Sequence, residues 1–137
     1  MEIRTVSDDF AVAPQFRPED MGEVAQRGFS ALICNRPDGE EPDQPTVAKM
    51  REAAQALGVA FHHIPVSGGQ FPDPAIAAFK AVRKGTHGKV LAFCRTGTRS
   101  ITLETLANPN DLGAEERIES ARDAGYDLSS LADQLGS

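Results

Sequence analysis

Three observations predict an α/β fold built on a mostly parallel sheet flanked by helices. Short apolar runs of strand length alternate with helix-like segments along the chain, which implies right-handed crossovers and a sheet covered on both faces. The chain has 137 residues, 40% of them hydrophobic and 25% charged, as expected of a single domain spanning 1–137 with one core. One apolar run, Val90 to Phe93, feeds straight into Cys94, a small-residue loop, Arg99, Ser100 and a helix-like stretch.

The elements follow in order. Ile3 to Val6 and Phe10 to Ala13 read as short strands around an Asp8-Asp9 turn. Pro18-Glu19-Asp20 opens a helix to about Arg27, since proline suits the first turn and acids its positive end. Gly28 stops that helix, and Ser30 to Asn35 forms a compact strand. Residues 36–45, rich in proline and containing Asp38-Gly39, form a loop. Thr46 to Leu57 is a helix ended by Gly58, and Val59 to Val66 is the next strand. Ser67-Gly68-Gly69 starts a second loop, and Pro72-Asp73-Pro74 leads into a helix over Ala75 to Arg83. After the Cys94 strand come a helix from about Ser100 to Ala107, a loop from Asn108 to Gly113, and closing helices over Ala114–Ala124 and Ser129–Leu135.

In such sheets ligands sit at the carboxyl ends of the strands. The loops after Asn35, Val66 and Phe93 therefore converge on one edge, which carries Cys94. Loop amides and a helix N-terminus aimed at one spot make an anion cradle, and the same partial positive charge favours a nucleophilic thiolate. Arg95, Thr96, Gly97, Thr98 and Arg99 make up the candidate anion-binding loop, with Arg99 able to grip an oxyanion through its planar fork. The plain alternative is a structural strand–loop–helix connection in which cysteine is a small core hydrophobe.

Net charge is −6, which argues against nucleic acid or an anionic membrane as the main partner. A small anionic substrate or a phosphoprotein is the expected partner. Two cysteines make no disulfide framework, and no run approaches a membrane span. The N-terminus lacks the layout of a signal peptide, so a cytoplasmic location is expected, where a catalytic thiol stays reduced. His62 and His63 are consecutive on a strand and point to opposite faces, so no metal-ligand spacing and no cofactor is expected.

Residues 35–45 (Asn-Arg-Pro-Asp-Gly-Glu-Glu-Pro-Asp-Gln-Pro), then His63-Ile64-Pro65-Val66, then Cys94-Arg95-Thr96-Gly97-Thr98-Arg99-Ser100 resemble the phosphatase-like domain of the beta-lactamase-hydrolase-like proteins. The resemblance runs from about Val6 to Tyr126. It implies a fold like that of the tyrosine and dual-specificity phosphatases, with Cys94 as nucleophile and Arg99 as anion clamp. Two departures stand out: tyrosine-type phosphatases place five residues between cysteine and arginine and usually a histidine before the cysteine. Here four residues intervene and Phe93 precedes Cys94. A six-residue loop is similar to that of single-domain rhodaneses, which carry a persulfide.

The leading expectation is a cysteine-dependent hydrolase of phosphate monoesters that works through a covalent intermediate. Sulfurtransferase chemistry on the same cysteine is the alternative, and a non-catalytic anion-binding module is the third reading. Ser100 is a candidate donor to the leaving thiolate. Asp38 and Asp73 are candidate general acids, although Asp38 also suits plain turn chemistry and Asp73 a helix cap. Cys34 is a candidate resolving thiol as well as a core-packing residue. The acidic stretch Asp38 to Asp43 reads as a solvated loop.

Overall fold

The computed structural model describes residues 1–135. Five strands, β1 (Arg4–Ser7), β2 (Phe10–Ala13), β3 (Phe29–Cys34), β4 (Ala60–His63) and β5 (Lys89–Phe93), form one sheet in the order β1-β2-β5-β3-β4. β1 runs antiparallel to β2, and every other pairing is parallel. The helices are α1 (Met21–Gln26), α2 (Val47–Ala56), α3 (Asp73–Gly85), α4 (Thr98–Ala107), α5 (Ala114–Asp123) and α6 (Ala132–Leu135). Single 3-10 turns precede α1 at Pro18–Asp20 and α6 at Ser129–Leu131.

The period of two along each strand divides the core into two layers. Phe10, Val12, Ala31, Ile33, Val90 and Ala92 pack with Phe79 of α3, Ile101 and Leu103 of α4 and Ala121 of α5. Ala11, Ala13, Leu32, Cys34, Leu91 and Phe93 pack with Met21 and Val24 of α1 and with Val47, Met50 and Ala54 of α2. Phe10 and Phe79 meet edge to face with ring centroids 5.9 Å apart. Such a pair contributes about 0.5–1.5 kcal/mol beyond its buried area.

Two differences from the sequence reading have clear causes. β4 ends at His63, not Val66, because Pro65 has no N–H to continue the ladder. Pairing resumes only at single points, with Ile64 N donating to Cys34 O (2.9 Å) and Val66 N to Asn35 O (3.3 Å). α4 starts at Thr98, two residues earlier than expected, because Gly97 takes a left-handed conformation (φ 95°) that turns the chain directly into the helix. Ser100 through Thr105 are all buried, so α4 is the central helix of its layer.

Candidate active site

Cys94 lies one residue beyond β5, at the carboxyl edge of the sheet, and is fully buried beneath the loop that follows. Gly97 N donates to Cys94 Sγ at 3.1 Å, so the first amide of the turn into α4 already points at the sulfur. The N–H of Thr98 goes instead to Thr96 Oγ1 at 3.4 Å, and Thr96 Oγ1 lies 3.0 Å from Thr98 Oγ1. The short loop thus ties its two hydroxyl residues to each other and places the α4 N-terminus over the cysteine. Arg95 projects outward, with its side chain 65% exposed and Nε 3.9 Å from Glu41 Oε1.

Arg99, one residue into α4, folds back over the loop toward residue 40. Its Nη1 donates to Glu40 Oε2 (2.9 Å) and to the Val66 carbonyl (2.9 Å), and its Nη2 donates to Glu40 Oε1 (2.8 Å). The hydrogen bonds that Arg99 donates to Glu40 raise it above its ordinary pKa against the opposing desolvation, and the nearby Cys94 adds to the rise. Glu40 is held below its usual carboxylate value, first by its hydrogen bonds with Arg99 and then, against burial, by Arg36.

Arg36 is the largest fully buried side chain of the molecule. Its Nε donates to Glu40 Oε1 (2.9 Å), its Nη1 to Gln15 Oε1 (3.1 Å) and its Nη2 to Glu41 Oε1 (3.1 Å). A buried guanidinium is tolerable only when its donors are met in this way. The His63 ring nitrogen Nε2 lies 3.0 Å from the Arg36 carbonyl, which fixes the backbone at the start of the same loop. Beside the cysteine loop, Arg36, Arg95 and Arg99 thus share the two carboxylates Glu40 and Glu41.

The remaining expected residues fall as follows. Ser100 is buried, but its hydroxyl donates to Asn35 Oδ1 (2.8 Å), while Asn35 Nδ2 donates to the Ile64 carbonyl (2.9 Å). Ser100 thus joins α4 to the ends of β3 and β4, and its proton goes to Asn35. Asp38 Oδ1 accepts from Val47 N at 2.8 Å and caps α2 together with Thr46, whose hydroxyl accepts from Lys49 N. Asp73 is the exposed first residue of α3, and Pro72, not Asp73, holds the cap position. Cys34 packs in the α1–α2 layer with Sγ donating to the Arg36 carbonyl (3.4 Å), and burial pushes its thiol up to about 11. Both cysteines are free. Residues 38–43 are all exposed, as the solvated-loop reading expects, and within that loop Glu40 and Glu41 pair with buried Arg36.

Sequence reasoning missed Glu40, Arg36, Asn35 and Tyr126. Tyr126 follows α5, and its hydroxyl donates to the Thr96 carbonyl at 2.9 Å. It stands against Gly97 so closely that a Cβ there would lie 2.2 Å from the hydroxyl oxygen. The Arg4 guanidinium lies 6.0 Å from the Tyr126 ring centroid and donates to the Ala124 carbonyl (3.2 Å), which fixes that segment to β1. Among the described residues there is no cluster of three or more His, Cys, Asp or Glu that would hold a metal, and no helix is long and apolar enough to cross a membrane.

This sheet order, with a cysteine loop at its carboxyl edge leading into a central helix, defines a mixed α/β protein of the tyrosine/dual-specificity-phosphatase-like class. A kinase-associated phosphatase, solved with its catalytic-site cysteine replaced by serine, shares the fold at a TM-score of 0.72, with 18% identity over 98% of this chain and 90% of that one. The chain belongs to the phosphatase-like domain family of the beta-lactamase hydrolase-like proteins, whose family model matches residues 2–110. A Beta-lactamase hydrolase-like protein of Xylella fastidiosa is 34% identical over 111 residues, which is 81% of this chain but only 26% of that protein. The chain thus spans about a quarter of the length of that relative. A crystal structure of a candidate phosphatase from Neisseria meningitidis Z2491 superposes with a TM-score of 0.86 at 32% identity, covering 99% of this chain and 97% of that one.

Proposed function

We propose that the protein is a cysteine-dependent hydrolase of phosphate monoesters carried by a small anionic molecule or a phosphoprotein. The observation that carries this reading is the Gly97 N–H donated to the Cys94 sulfur at the N-terminus of α4, with Arg99 on the first turn of that same helix. The phosphatase-like family to which this chain belongs supports the same chemistry, and the kinase-associated phosphatase of the same fold has a catalytic-site cysteine.

In the first step the Cys94 thiolate attacks phosphorus. An S–P bond forms, the P–O bond to the leaving group breaks, and the leaving oxygen carries away the electron pair. Loop amides and Arg99 stabilise the charge on the equatorial oxygens. In the second step water attacks the thiophosphate, the S–P bond breaks, and inorganic phosphate leaves with the thiolate restored. Asp38 is engaged as a cap on α2 and Asp73 lies exposed on α3, so neither is assigned as the acid. An aryl phosphate is therefore the appropriate assay substrate, because its phenolate departs without a proton donor.

A second reading, sulfur transfer through a Cys94 persulfide, is favoured by one feature. Only four residues separate Cys94 from Arg99, and Thr98 N–H is turned to Thr96, so fewer amides are free to surround three phosphoryl oxygens. The deciding experiment is turnover of an aryl phosphate beside turnover of thiosulfate with cyanide, each for wild type, Cys94→Ser and Arg99→Lys. The phosphatase reading expects phosphate release that both substitutions abolish or nearly abolish, since an ammonium cannot replace the planar fork. Cyanide-dependent thiosulfate turnover without phosphate release establishes sulfur transfer instead.

A further inference from the structure

We propose that Glu40 is the positioning residue of the anion clamp. It fixes the orientation of Arg99 so that the free edge of the guanidinium is presented above Cys94. The inference rests on the reading of Arg99 as the oxyanion ligand.

A guanidinium has five N–H donors, and only some edges of the fork give a two-point grip. In Arg99 both Nη1 donors are taken, one by Glu40 and one by the Val66 carbonyl, and one Nη2 donor is taken by Glu40. What remains is Nε–H with the second Nη2–H, the pair that matches two oxygens of a phosphoryl group. Arg99 sits on the first turn of α4, and Gly97, which leads into that turn, donates its N–H to the Cys94 sulfur, so the guanidinium springs from the turn that covers the cysteine. Glu40 thus occupies the far edge of the fork and leaves the near edge to the substrate.

Glu40 can do this only because it is itself held. Its Oε1 accepts from both Arg99 Nη2 and Arg36 Nε, and Arg36 is buried and anchored on Gln15 and Glu41. A relay runs from Gln15 through Arg36 and Glu40 to Arg99, from the protein interior to the reacting centre. A glutamine at position 40 keeps the volume but offers one acceptor oxygen. Its NH2 group then faces a guanidinium donor, and the fork must rotate.

The test compares wild type, Glu40→Gln, Glu40→Asp and the control Glu52→Gln, an exposed carboxylate on α2. The readouts are aryl phosphate kinetics, affinity for inorganic phosphate by calorimetry, and the NMR signal of the Arg99 Nε–H. Glu40→Gln is expected to weaken phosphate binding and lower kcat/KM by about 10- to 100-fold, as a misplaced catalytic group does. The Arg99 Nε–H signal broadens or shifts, while the fold melts cooperatively. Glu40→Asp, a carboxylate with a shorter reach, restores part of the loss, and Glu52→Gln stays near wild type. If Glu40→Gln or Glu40→Asp, whichever folds, binds phosphate as wild type does and leaves the Nε–H signal in place, the inference is overturned. If no ester is ever turned over but Glu40→Gln still weakens phosphate binding and moves the Nε–H signal, the positioning role stands and the phosphatase reading fails.

Discussion

Replacing Gly97 by alanine probes the tightest point of the site. Gly97 has φ 95° and ψ −14°, a left-handed conformation that costs an L-residue about 1–2 kcal/mol. The added Cβ would also lie 2.2 Å from the Tyr126 hydroxyl oxygen and 3.0 Å from ring carbon Cζ. Relieving that overlap requires Tyr126 to swing away or the loop to shift, an overpacking cost of about 1–3 kcal/mol. Gly97→Ala should therefore destabilise the protein by about 2–5 kcal/mol, the sum of the two effects. Tyr126→Phe alone removes one hydrogen bond, to the Thr96 carbonyl, at a cost of about 0.5–1.5 kcal/mol. The double variant lacks the oxygen that meets the methyl group, so its loss should be smaller than the sum of the single losses. Urea unfolding of all four proteins measures the cycle, and aryl phosphate turnover reports whether Gly97 N–H still reaches Cys94 Sγ. A Gly97→Ala loss below about 0.5 kcal/mol, the range of ordinary surface changes, would refute the packing argument, and so would strict additivity in the double variant.

Other outcomes follow from the same contacts. Asp38→Ala should cost about 0.5–2 kcal/mol by uncapping α2 yet leave turnover near wild type; a collapse of kcat in a folded variant would restore Asp38 as the acid. Glu40 is held below its ordinary value of 4.5, so its stabilisation is full above that pH and is lost as pH falls through the depressed folded value. Melting temperatures of wild type and Glu40→Gln should accordingly converge as the solution is acidified, and a constant gap down to strongly acidic pH would contradict the pairing. Cys34, its thiol pushed up to about 11 by burial, should resist iodoacetamide at pH values near 8, and Cys34→Ala should retain turnover. A Cys34–Cys94 disulfide after mild peroxide treatment would instead support the resolving role.

The fold was legible because local patterns and tertiary structure agree. Alternating strands and helices, Pro18 ahead of α1 and Gly58 after α2 placed the elements in the right order, with boundaries within three residues. The Cys94–Ser100 segment was legible as a site because strand end, loop and helix start are contiguous in sequence. The partners of that segment were not legible, since they come from elsewhere in the chain. Glu40 lies in a loop whose acids look alike in sequence, and which of Asp38, Glu40 and Glu41 reaches Arg99 depends on buried Arg36. Residues 38–43 read as a solvated loop and are exposed, but a charge run carries no sign of the interior arginine with which Glu40 and Glu41 pair. Tyr126 is 30 residues from Thr96, and no local pattern marks a tyrosine that braces a distant loop. Ser100 was read from its neighbour in sequence, Arg99, whereas its hydroxyl follows Asn35 across the sheet edge.

The most direct test of the account is to trap the intermediate. Wild type is mixed with an aryl phosphate, quenched in acid during turnover and mapped by mass spectrometry, with Cys94→Ser treated in parallel. The account predicts a phosphoryl group on the peptide containing Cys94, removed by further incubation before the quench, and no label and no phosphate release with Cys94→Ser. Phosphate release that persists in Cys94→Ser would contradict it, as would a Cys94 that takes up sulfur from thiosulfate and never a phosphoryl group.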